Sequence, residues 1–120
     1  MIQNILLIWP VYSLLHSNGE NKSLNTSIIR NAIASHDIIE FTYHGYYRIA
    51  EPHVYGIHNG KRQILVYQIG GLTSSGKIPD WRRINLDEIE GIRVTGQKFS
   101  GPRLDSSQHS DWDTIIAVVK

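Results

Sequence analysis

The chain has 120 residues, 12 basic and 11 acidic side chains, a net charge of +1 and no cysteine. A chain this short is one domain with one core, large enough to fold without staples. Without cysteine, a disulfide scaffold, a thiolate zinc site, an iron–sulfur cluster and a cysteine nucleophile are excluded. The near-zero charge argues against a generic nucleic-acid coat, which is strongly basic.

Ile2 to Leu15 reads IQNILLIWPVYSLL, almost wholly apolar. A membrane span needs about 20 such residues, and Pro10 would break a helix here. A secretory signal needs a positive n-region, yet no Lys or Arg precedes Lys22. The segment therefore reads as a strand or hook that packs on the domain or on a partner subunit. A cytoplasmic chain with no membrane span is the expectation. His16 to Ser23 is a polar linker. Asn21-Lys22-Ser23 and Asn25-Thr26-Ser27 match a glycosylation sequon by chance. The expected division is an extension and linker over 1–24 and a folded domain over 25–120.

Asn25 to His36 is the one good helix, with Ser23, Asn25 or Thr26 able to cap its first turn. Leu24, Ile28 and Ala32, with Ile29 and Ile33, fall at four-residue spacing and make one apolar stripe. From Asp37 the period becomes two. Ile39, Phe41 and Tyr43 alternate with Glu40, Thr42 and His44, as in a half-buried strand. Gly45-Tyr46 is read as the turn and Tyr47 to His58 as a second strand. Pro52 within it demands an edge or a bulge. Asn59-Gly60 is the strongest hairpin signal, because a tight primed turn needs positive φ. Arg62 to Ile69 returns as a third strand, and Gly70 to Asp80 is a long Gly/Ser loop. Trp81 to Leu86, Ile89 to Thr95 and Ile115 to Val119 complete the strands. One helix and five or six meandering antiparallel strands predict a mainly β (α+β) fold, a closed or half-closed small barrel.

Gly71-Leu72-Thr73-Ser74-Ser75-Gly76-Lys77 matches most of a phosphate-cradling loop, but Ile78 stands where Ser or Thr should hold magnesium. Pro79 pushes Ile78 towards an extended conformation, so no helix opens there. The segment is a surface loop, or one whose amides and Lys77 help hold an anion. The histidines show no helical ligand spacing, so no metal and no cofactor are expected. Glu51 and His53 fall on one face of one strand. That pattern suits a structural hydrogen bond or an acid–base pair. Between Phe41 and Leu86 the basic residues are Arg48, Lys61, Arg62, Lys77, Arg82 and Arg83, against only Glu51 and Asp80. Tyr46, Tyr47, Tyr55, Tyr67 and Trp81 share that stretch. Guanidinium groups fork onto phosphate and aromatic faces stack bases.

At these residues the chain resembles a WYL domain, in particular the short stand-alone members of that family. The resemblance runs from about Ile28 to Lys120. It rests on Ala32-Ile33 leading into Ile39-Glu40-Phe41-Thr42-Tyr43, then Arg48-Ile49-Ala50-Glu51-Pro52-His53 and Gly56. Gln68-Ile69-Gly70-Gly71 with Ser74, Gly76, Pro79 and Trp81-Arg82 follows, and then Leu86-Asp87, Ile89 and Phe99-x-Gly101-Pro102-Arg103. The namesake triplet stands here as Gln63-Ile64-Leu65. Asn85 and Glu88 fill the family's later basic positions, leaving Arg82 as the retained arginine.

The resemblance implies an SH3-like (Sm-like) β-barrel with an N-terminal helix. It also implies a ligand-sensing module of the kind fused to DNA-binding domains in bacterial transcription regulators and phage-defence systems. The expected function is non-enzymatic binding of an anionic ligand, a nucleotide or a short single-stranded nucleic-acid segment. The expected ligand-binding residues are Arg48, Glu51, His53, Tyr55, Tyr67, Trp81 and Arg82. Arg48 and Arg82 would fork a phosphate, and Tyr55, Tyr67 or Trp81 would stack on a base. The rival expectations are homo-oligomerisation through residues 2–15 without a small ligand, and a small hydrolase using Glu51 and His53.

Overall fold

The computed structural model describes residues 22–103 and 111–120. The apolar segment Ile2 to Leu15 and most of the linker lie outside the described residues, and so does any oligomer contact made through them. Helix α1 covers residues 22–35. Six antiparallel strands follow: β1 (Asp37–Tyr43), β2 (Tyr46–His58), β3 (Lys61–Gly71), β4 (Asp80–Asn85), β5 (Ile89–Lys98) and β6 (Thr114–Val118). They hydrogen-bond in the order β4-β3-β2-β1-β5, with β6 added to β2. The chain is mainly β with an N-terminal helix, as expected, and the sheet is open rather than closed. The two ends of the order, β4 and β5, are not paired among the described residues.

Helix α1 starts earlier than its apolar period suggests. Ser23, Asn25 and Thr26 lie inside it rather than capping it. The Thr26 hydroxyl donates back to the Lys22 carbonyl at 2.9 Å, the i−4 bond that lets Thr sit in a helix. Ile29, Ala32 and Ile33 are buried and Ile28 packs against them, while Leu24 is 58% exposed. The stripe is therefore shorter than read. His36 ends the helix at φ 59, the left-handed stop usual at a C-terminus. Its Nε2–H donates to the Lys120 carbonyl at 2.9 Å, which ties the helix to the chain end.

The first turn is His44-Gly45, not Gly45-Tyr46. Both residues have positive φ, 52 and 80. A two-residue primed turn needs that at both centres. Histidine reaches this region more readily than a bulky residue such as Tyr46, which opens β2 instead. Asn59-Gly60 turns as expected, at φ 50 and 77.

Strand β2 organises the sheet. One of its edges pairs with β3 along its length. Its other edge pairs with β1 up to Ala50 and with β6 from Val54. Pro52 falls in the gap between those partners, and the β2–β3 register slips between Pro52 and Val54. His53 is the extra residue of that bulge. The predicted bulge at the proline is therefore present. Gly56 lets β6 approach: a Cβ there would lie 2.3 Å from the Thr114 carbonyl oxygen and 2.8 Å from the Trp112 ring. The core lies on one face of the sheet under α1, with Ile29, Ile33, Ile39, Ile64 and Ile84 at 0–2% exposure.

Candidate functional site

Residues directly opposite in a ladder share a face. The register aligns Ala50, Gln68 and Asp80, and then Pro52, Val66 and Arg82. Arg48 alternates onto the same face as Ala50 and Pro52. Glu51, Tyr67 and Trp81 align on the opposite face. The sheet therefore divides the expected site into two clusters.

The first cluster is a corner where the ends of β2, β3 and β4 meet the loop at 72–79. Arg48 is only 5% exposed. Its Nη1 donates to Gln68 Oε1 at 3.2 Å and its Nη2 to the Tyr43 carbonyl at 3.2 Å. The Thr73 hydroxyl lies 3.5 Å from Nη1. The rings of Tyr43 and Tyr46 sit 5.3 and 5.7 Å from its guanidinium carbon. No described carboxylate pairs with it, and its buried Nε has no partner. Arg82 also has a buried, unpartnered Nε. It donates to Ser75 Oγ at 3.1 Å, to the Lys77 carbonyl, and to Asp80 Oδ2 at 3.4 Å. Burial, and then the charge of Arg82, lower the Arg48 guanidinium from its ordinary value. Arginine nonetheless keeps its proton in proteins. Lys77 approaches the same Asp80 at 3.8 Å. Arg82 and Lys77 therefore share one carboxylate, and Arg48 has none.

The loop is held against this corner by those side chains and by its own glycine. Leu72 N–H donates to the Tyr47 carbonyl at 2.8 Å. Gly71 has φ +81, and a Cβ there would come within 2.2 Å of that same carbonyl oxygen. No helix follows the loop, so it is not a nucleotide-hydrolysing phosphate loop. Its hydroxyls and carbonyls instead occupy the donors of two arginines.

The second cluster is a latch. Arg103 forks onto the Glu51 carboxylate at 2.8 and 3.0 Å. Its guanidinium carbon lies 4.0 Å from the centre of the Tyr67 ring. The Glu51 hydrogen bonds hold the Arg103 guanidinium above its ordinary value. His53 is 1% exposed. Its Nδ1 bonds the backbone carbonyl of Glu51 at 2.9 Å, and its Nε2 accepts the Arg103 backbone N–H at 3.2 Å. These partners fix the neutral tautomer with the proton on Nδ1. The imidazole also packs edge-on to Trp81 at 4.9 Å and along Phe99 at 5.4 Å. Trp81 in turn meets Tyr67 at 5.1 Å. The Glu51 carboxylate thus serves Arg103, and the imidazole serves two backbone groups.

Tyr55 is 2% exposed in the core and offers no face to a ligand. The aromatic rings beside Arg48 are Tyr43 and Tyr46 instead. Sequence reading missed Gln68 and Arg103 as site residues, although both lie in the motifs that carry the resemblance. The two departures from the pattern of the family that the sequence resembles meet each other. Gln63 Nε2 donates to Asn85 Oδ1 at 2.8 Å, and Asn85 donates to Glu88 at 2.9 Å. Glu88 also takes the Tyr43 hydroxyl at 3.1 Å. Arg83 Nη1 also donates to Gln63 Oε1 at 3.3 Å, so this knot holds one arginine beside Glu88. Among the described residues no group of three or more His, Asp or Glu is arranged to hold a metal. No described helix is long and apolar enough to cross a membrane.

No family model matches the chain, and no curated protein matches it in sequence. Among solved structures it is similar to proteasome accessory factor B/C of Arthrobacter aurescens, with a TM-score of 0.55 and 18% identity. The match covers 72% of this chain and 14% of that one. At this identity the likeness shows a shared fold. The chain corresponds to a small part of that much longer protein.

Proposed function

We propose that this chain is a non-enzymatic, regulatory binding module for an anionic ligand, a nucleotide or a short nucleic-acid segment, at the Arg48–Arg82 corner. One observation carries the reading: a 5%-exposed guanidinium with no carboxylate partner and a free Nε. A buried unpaired charge costs several kcal/mol. A ligand phosphate that displaces the loop's hydroxyls and carbonyls offsets that cost and receives charge-assisted bonds from both arginines. The WYL resemblance supports a ligand-sensing role. The fold shared with part of a proteasome accessory factor is consistent with a module that works within a larger assembly. Tyr46, half-buried beside Arg48, is the ring placed to cover a base.

The latch favours binding over hydrolysis. Glu51 and His53 are bonded to Arg103 and to backbone, so neither side chain is presented to a substrate. The test is calorimetric titration with mononucleotides and inorganic phosphate. Losing one charge-assisted contact costs about 1.5–3 kcal/mol, so Arg82→Ala weakens binding at least tenfold while the chain stays folded. Unchanged affinity in that variant refutes the reading.

A further inference from the structure

At the far end of β3 from this corner, a cleft of about 760 Å³ opens between α1 and the start of β3. Every side chain lining it is polar. Lys22, Thr26 and Arg30 make one row along the helix, and Ser23 and Ser27 lie in the next row. Arg62 contributes a guanidinium from β3. Arg62 and Gly71 bound most of the 11-residue strand β3, which puts this cleft about 30 Å from the Arg48 corner. The two sites share no side chain.

The charges here are accessible and mostly uncommitted. Lys22 meets Asp87 at 3.6 Å, but both side chains are more than 60% exposed, and such pairs contribute little. Arg30 and Arg62 have no carboxylate partner among the described residues. Lys22 and Arg30 lie two helical turns apart, about 12 Å along the axis. With Arg62 facing them from β3, the three cations are spread along the cleft, as the successive phosphates of a strand are. No aromatic ring lines the cleft, so nothing there stacks a base. The chemistry is that of phosphate contacts, which position a strand without reading its sequence.

We infer that this cleft grips the phosphodiester backbone of single-stranded nucleic acid through Lys22, Arg30 and Arg62, with Ser23 and Ser27 as hydroxyl donors. The inference uses no residue of the Arg48–Arg82 corner and stands if that reading fails.

The experiment is fluorescence anisotropy of the full chain with a short labelled oligo-dT over a series of salt concentrations. Wild type binds. Arg30→Gln/Arg62→Gln binds at least about a hundredfold more weakly at low salt, and its salt slope is shallower by about 1.4, the value for two lost contacts to a single strand. Both changed residues are exposed, so the melting temperature should hold. Arg82→Ala is the control for the other site and leaves the part of the slope due to the cleft in place. Absence of oligo-dT binding by wild type overturns the inference. So does a double variant with wild-type affinity and slope. Equal competition by inorganic phosphate would mean that one phosphate suffices, and would overturn the assignment to a strand. Binding to phosphatidylserine vesicles but not to oligo-dT, lost in the same variant, would assign the cleft to a lipid surface instead.

Discussion

The Glu51–Arg103 latch makes an asymmetric prediction. The carboxylate side chain is 8% exposed and the guanidinium 43%. Arg103→Ala strands a buried carboxylate whose two forked bonds, at 2.8 and 3.0 Å, are lost together. Breaking a buried pair in that way costs about 3–5 kcal/mol. Half-exposure of Arg103 lowers the expectation to about 2–3 kcal/mol, because the pair is partly screened by solvent. Arg103→Ala also uncovers the Tyr67 ring, 4.0 Å from the guanidinium, which adds to the loss. Glu51→Gln differs. It keeps one acceptor and leaves a guanidinium that turns into water, so about 1 kcal/mol is expected. Urea unfolding of both single variants and the double variant measures this, with a coupling energy of at least about 1 kcal/mol between them. For a domain of this size each kcal/mol moves the melting temperature by about 4–8 °C. Equal costs for the two single variants, or a coupling near zero, would refute the latch. The 99–103 segment would then be held by Phe99 and its backbone bonds alone.

Arg48→Met should remove anion binding with little change in melting temperature, because relief of an unpaired buried charge is offset by the lost bonds to Gln68 and the Tyr43 carbonyl. A large fall in melting temperature would make that guanidinium structural. Gly71→Ala should destabilise by about 2 kcal/mol or more, since positive φ and a backbone clash combine. Thermal unfolding followed by circular dichroism reads it, and a neutral result would mean that the loop is not pinned at Tyr47. The pH response comes from Glu40 and Glu88. Tyr47 and then Arg93 hold the Glu40 carboxyl below its ordinary value, and Asn85, His44 and Tyr43 do the same for Glu88. A lowered carboxyl stabilises the fold above its unfolded value of about 4.3. That contribution is lost as pH falls through the lower folded value. Melting temperature should therefore drop on acidification below about pH 4.3, and less steeply in Glu40→Gln/Glu88→Gln. Parallel curves would refute the assignment.

The sheet was legible wherever one physical signal dominated. Alternation set β1, Asn59-Gly60 set the β2–β3 hairpin, and Pro52 marked the bulge. What the sequence could not show was the effect of that bulge on faces. Glu51 and His53, two residues apart, read as a structural hydrogen bond or an acid–base pair between their side chains. The extra residue at His53 and the arrival of Arg103, 50 residues on, direct their polar groups elsewhere. Tyr55 and Arg48 likewise both belong to β2. Only the register shows one ring sealed in the core and one guanidinium at its open corner. The turn at His44-Gly45 was misplaced by one residue, because a histidine in left-handed conformation leaves little trace in composition.

The shared edge of β2 also sets an order of assembly. Strands β2 and β3 meet through a two-residue turn, which closes quickly and at small entropic cost. Strand β6 joins the same β2 only after a loop of about sixty residues has closed, since Val54 pairs with Val118. Long closures slow the step that needs them. The β2–β3 hairpin is therefore the early piece of the fold and the β6 edge the late one. Trp81 reports on the β3–β4 side, and Trp112, packed over Gly56, reports on the β6 side. Their fluorescence separates the joining of β4 to that hairpin from the arrival of the β6 edge.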